Sequence, residues 1–192
     1  MFKGNGLVLI LPLLLMGFIF FGGYYYLNGA NQMTNEELNQ VIALDAEATA
    51  SGEVYIIRGK WDWKEMPSDG LIGDDYIGIA LLNGQTLEVD QVKNTELTLM
   101  HGGKTVYETE GSILPDGIVF SFPNLIKEHE SMGNVGTFQI TIDNENLAGS
   151  ELSIGYLHTW EEHSRFTLNS ARLSSDMVDA NHWIIERFIK LD

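Results

Sequence analysis

VYIIRGKWDW, residues 54–63, decides the fold class. In an extended chain Tyr55, Ile57, Gly59, Trp61 and Trp63 fall on one face while Arg58, Lys60 and Asp62 fall on the other, which is the period of a strand with one side buried. The alternation returns in 76–82 with Ile77, Ile79 and Leu81, in 117–122 with Ile118, Phe120 and Phe122, and in 137–143 with Phe138, Ile140 and Ile142. It returns again in 151–160 with Leu152, Ile154, Tyr156 and Trp160. Residues 86–89, 96–100, 104–109 and 165–173 are further candidate strands. Asn83-Gly84, Gly102-Gly103, Pro115-Asp116-Gly117 and Asp143-Asn144 supply turns between them. Roughly seven to nine short strands with no helix between them predict an all-β fold, an antiparallel immunoglobulin-like β-sandwich over 53–174, with a small barrel as the alternative.

The flanks read differently. Thr34 and Glu37 have capping-box spacing, and Leu38, Val41, Ile42 and Leu44 form an apolar stripe, so 28–52 reads as a linker and a short stalk helix. In 175–192 Met177, Ala180, Ile184 and Phe188 share a helical face, which predicts a C-terminal amphipathic helix packed on the domain.

Leu7 to Leu27 carries no charge over about the length of helix that crosses a bilayer. It reads as an N-terminal transmembrane helix with Tyr24, Tyr25 and Tyr26 at headgroup level. The alternative is a cleaved signal peptide, but Asn28 stands where a small residue would be needed two positions before Ala30. Lys3 precedes the span and no Lys or Arg lies between 28 and 40, so residues 1–6 are expected in the cytoplasm and the rest outside the cell membrane.

The 192 residues hold 27 acids against 11 Lys and Arg, a formal net charge of −16. That field disfavours nucleic acid and favours cationic partners. The chain has no cysteine, so it can form neither a disulfide nor a cysteine nucleophile.

Within 59–76 two tryptophans and five acids crowd between two strands. The exposed part of this loop is the expected ligand or partner site, with Asp62, Trp63, Glu65, Asp69, Asp74 and Asp75 as its residues. Trp61 and Trp63 share the parity of Tyr55 and belong to the core, although Trp63, near the strand end, could stay half exposed and stack a sugar ring. The acids could instead gather calcium, but their spacing does not match an EF-hand loop. On this reading Asp74→Asn and Asp75→Asn weaken binding and leave stability nearly unchanged. A second constellation, His158, Glu161, Glu162 and His163, could converge on zinc, although His158 also has the parity of a hydrogen-bonded core residue.

No G-x-S-x-G or phosphate-cradling glycine loop is present, and no lysine follows Ser131 before Lys190 to serve a serine–lysine peptidase. The expectation is a single-pass, membrane-anchored, extracytoplasmic binding, accessory or sensor module, without catalysis or cofactor, that recognises another membrane or exported protein. The alternatives are a cell-wall glycan binder and a metal-dependent hydrolase.

Overall fold

The computed structural model describes residues 6–29, 33–82 and 84–191. The expected cytoplasmic segment with Lys3 and part of the expected linker therefore lie outside the described residues, as does Asn83 of one expected turn. The chain divides into two units, Met1–Gln32 and Met33–Asp192.

In the first unit, helix α1 spans Gly6–Gly29 and has no acidic or basic residue in its end turns. Side chains are described for residues 10–26, and its large apolar residues, including Leu13, Phe18 and Phe21, are exposed around the whole helix. Among the described residues no helix is long and apolar enough to cross a membrane.

Among its described residues the second unit has twelve strands: β1 (Ala43–Ser51), β2 (Val54–Asp62), β3 (Asp74–Leu81), β4 (Val92–His101), β5 (Lys104–Thr109), β6 (Ser112–Leu114), β7 (Gly117–Pro123), β8 (Leu125–Lys127), β9 (Glu130–Met132), β10 (Val135–Asp143), β11 (Glu151–Thr159) and β12 (His182–Lys190). One five-stranded sheet has the order β1-β2-β10-β4-β5, a second has the order β12-β11-β3-β7-β6, and β8 pairs with β9 as a separate ribbon. All pairings are antiparallel.

The inward faces carry the residues the alternation selects. Ile57, Trp61, Leu97, Leu99 and Phe138 from the first sheet meet Ile77, Ile118, Phe120, Phe122 and Ile154 from the second in one buried cluster. Aromatic contacts cross the gap, with Trp61 stacked on Phe122 at 5.0 Å and Phe120 against Phe138 at 6.2 Å.

Both expected flanking helices are strands. The Thr34 and Glu37 pair does form, since Glu37 Oε2 accepts from Thr34 N at 3.3 Å, but it caps a single turn. After a 3-10 turn at Leu38–Gln40, β1 pairs with β2 along all nine of its residues, and this ladder overrides the helix preference of its alanines. At the other end, β12 pairs with β11 throughout. Trp183 and Ile185 pack into the main core while Ile184 packs on the outer side of the second sheet, so apolar residues on both faces hide the period of two. The sandwich therefore extends beyond 53–174 in both directions.

Residues 165–173 form no strand. The stretch from Trp160 to Asn181 crosses the outer face of the second sheet as a strap, and Ala171 and Leu173 are buried on Tyr76, Ala80 and Leu157. Glycine makes this possible at Gly78, where a Cβ would overlap the Ala171 carbonyl oxygen, while Leu173 packs at contact distance over Gly155. Asp116 fixes the strap by accepting from Ser170 Oγ at 2.5 Å and Ala171 N at 2.9 Å. Residues 86–89 are likewise no strand, and a 3-10 turn at Val89–Gln91 follows them.

Candidate functional site

The end of β2, the loop that follows it and the start of β3 carry the six residues singled out above. Trp63 is 1% exposed, and its Nε1 donates to Tyr156 Oη at 3.1 Å. Asp75 is 0% exposed, accepts from Tyr156 Oη at 2.6 Å and from Thr159 N at 3.1 Å, and lies 3.0 Å from His158 Nδ1. Neither residue is placed to meet a ligand in solution. Asp62 is half-buried and pairs with Lys64 at 2.6 Å. The Lys64 side-chain hydrogen bond, helped by its backbone N–H, holds the Asp62 carboxyl below its ordinary range. Asp69 is exposed yet accepts from Asn35 N at 3.0 Å and from Asn35 Nδ2 at 2.8 Å. Asp74 is half-buried and lies 3.6 Å from Arg165 Nε, and Glu65 is exposed. The six are thus neighbours in sequence with separate attachments.

Parity decides these placements. Counting in twos from Ile77 turns Asp75 inward, and Asp74 outward, and Asp75 then meets His158, which the parity of Tyr156 turns inward on β11. Burial, and next the Asp75 charge, push the Tyr156 phenol well above its ordinary range. Burial also raises Tyr76, whose oxygen accepts from Phe166 N in the strap at 3.1 Å.

His158 does not join the expected zinc set. Glu161 accepts from Asn181 N at 3.0 Å, and His163 Nε2 lies 2.9 Å from Thr159 Oγ1. Among the described residues no group of three His, Cys, Asp or Glu side chains could hold a metal ion, whether around His158 or in the 62–76 acids.

A different surface is open. The strap covers the outer face of the second sheet, whereas the outer face of the first carries a groove of about 530 Å³. The ladder sets two rows across it. Glu47, Arg58, Gln139 and Glu96 are aligned in one, and Asp45, Lys60, Thr137 and Thr98 in the next. Acids stand on β1, bases on β2, neutral hydrogen-bonding groups on β10, and Glu96 on β4. Arg58 Nε donates to Gln139 Oε1 at 2.8 Å, and Lys60 lies 3.7 Å from Asp45. Gly59 turns inward, where a Cβ would strike the Phe138 ring, so the floor of the groove is thin backbone over core. The alternation in 54–63 already marked Arg58 and Lys60 as outward, but only the pairing of β1 reveals the acids beside them.

The chain matches no family model and no curated protein. It is similar in structure to AvmM, which catalyses macrocyclisation in alchivemycin A biosynthesis, with 12% identity, a TM-score of 0.41, and 79% of this chain and 88% of AvmM covered. It is also similar to ACE19, the collagen-binding subdomain of the Enterococcus faecalis surface protein ACE, at 7% identity and a TM-score of 0.38, over 79% of this chain and 95% of that one. The collagen-binding domain of a Staphylococcus aureus adhesin shares 10% identity at a TM-score of 0.33, over 74% of this chain and 95% of that one. Likeness of this degree says nothing of what the chain binds.

Proposed function

We propose that this protein is a membrane-anchored, extracytoplasmic binding module without catalytic activity, and that it recognises another membrane or exported protein through the outer face of the first sheet. The observation that carries this reading is the asymmetry of the sandwich: one outer face is covered by the chain's own strap, while the other is a rigid ladder presenting acids, bases and amide or hydroxyl groups in register. Side chains of both signs in aligned rows suit a polypeptide partner, whose backbone amides and charged groups can match them. The net charge of −16 favours a basic partner during approach. Support for the anchor is the uncharged run from Leu7 to Leu27, and support for the orientation is Lys3 before it. The glycan alternative relied on Trp63, which is buried, and no observation favours it over a protein partner.

The test is in-cell crosslinking of the tagged full-length chain, comparing the natural protein with R58E and E96K. A discrete membrane or secreted protein should be captured by the natural chain and reduced at least tenfold by either variant, with the melting temperature unchanged. Capture that ignores both substitutions would refute this face as the binding surface.

A further inference from the structure

The interior of the sandwich holds a charge state that hydrogen-bond geometry alone decides. We infer that His158 is a doubly protonated, cationic ring, held by Asp75 on one side, whose Nε2–H on the other side helps bolt Asn35, and with it residues 33–42, onto the sandwich. The deduction begins at Asn35, which is 1% exposed. Its Nδ2 lies 2.8 Å from Asp69 Oδ1 and 2.8 Å from the Gly70 carbonyl oxygen. Both are acceptors, so the amide nitrogen faces them and Oδ1 faces the other way, toward His158 Nε2 at 2.9 Å. Reversing the amide would set oxygen against two oxygens. Nε2 is therefore a donor.

The other ring nitrogen, Nδ1, lies 3.0 Å and 3.1 Å from the two oxygens of Asp75. Asp75 already receives the Thr159 N–H and the Tyr156 hydroxyl proton, which is free to point there because Tyr156 Oη accepts from Trp63 Nε1. A carboxyl receiving that many donors is favoured as the anion, so the proton between the pair sits on the ring. Asn124 Nδ2 donates one hydrogen to the Thr159 carbonyl at 2.9 Å, and its nitrogen lies 3.3 Å from Nδ1, farther than either Asp75 oxygen.

Three indoles surround the resulting cation. Ring centroids of Trp183, Trp63 and Trp160 lie 4.8, 4.9 and 5.6 Å from that of His158, within the range of a cation–π contact. The titratable groups around it are Asp75 from β3, Tyr156 from β11 by way of its bond to Asp75 and, through Asn35, Asp69 from the loop after β2; β12 contributes Trp183, which also donates its Nε1 to the Asn35 carbonyl at 2.8 Å. Asn35 is thus held from the sandwich by the ring, by an indole and by the 69–70 backbone and carboxylate, and the turn carrying the buried Leu38 follows it.

The full-length protein, labelled with nitrogen-15 and held in detergent, tests this directly. Long-range proton–nitrogen correlation at neutral pH should show both ring nitrogens of His158 carrying hydrogen, while a lone-pair signal from either one overturns the charge assignment. The bolt is tested separately with N35L, which keeps the His158–Asp75 pair and removes the Asn35 side-chain bonds to His158, Asp69 and Gly70. Amide hydrogen exchange over residues 36–42 should quicken at least tenfold while β3 and β11 keep their protection. Unchanged exchange over 36–42 overturns the bolt.

Discussion

Replacing Asp75 with alanine should cost about 3–5 kcal/mol, the penalty of stripping one partner from a buried charge pair. The magnitude follows from what is left behind: the His158 ring, the Tyr156 hydroxyl and the Thr159 N–H all lose an acceptor where water does not reach. Against a total stability of about 5–15 kcal/mol the loss is large. It corresponds to a fall of about 10 °C in melting temperature, at about 2–4 °C per kcal/mol for a domain of this size. The control is one residue away. Asp74 points outward and is half-buried, and its partner Arg165 is exposed, so D74N should change stability by less than about 1 kcal/mol. Urea unfolding followed by tryptophan fluorescence suits the measurement because three indoles surround His158. Equal effects of D75A and D74N would refute the claim that parity turns the first inward and the second outward.

The strap is tested by G78A, whose new methyl must displace the Ala171 carbonyl; a loss of about 1–3 kcal/mol and faster proteolytic cutting within 160–181 are expected. The Tyr156 phenol is held neutral by burial, so its folded-state titration lies above the ordinary value of about 10. Its contribution is fully present below that value and is lost as the pH rises above it, so urea midpoints should fall between about pH 8 and about pH 11, more steeply than in Y156F. Zinc, calcium or a chelator should leave the melting temperature unchanged; a rise with either metal would revive the metal-site reading.

The strands of the interior were legible because one face of each is apolar and the period survives. β2, β7, β10 and β11 stand close to where alternation puts them. β1 was not, since Leu38, Val41, Ile42 and Leu44 lie at helical spacing among good helix formers, and nothing local to them announces the ladder with β2. β12 was hidden because its two faces are both apolar, and 165–173 read as a strand because a strap lying on a sheet carries apolar residues as a strand does. The loop after β2 looked like a ligand site through its density of acids. Parity from Ile77 separates an inward Asp75 from an outward Asp74, but the partners that dispose of those acids, Asn35, His158, Tyr156 and Arg165, are far away in sequence, so nothing local showed which groups receive them.

The contact between Trp183 and Asn35 spans 148 residues, and that between His158 and Asn35 spans 123. A chain made from its N-terminus onward can pair β1 with β2 early, but Asn35 and the turn that follows it lack His158 and Trp183 until β11 and β12 have been added. Contacts of such long range close slowly. The sandwich closes only once β12 has been made, and until then Leu38 and Leu44 lack part of the core that buries them.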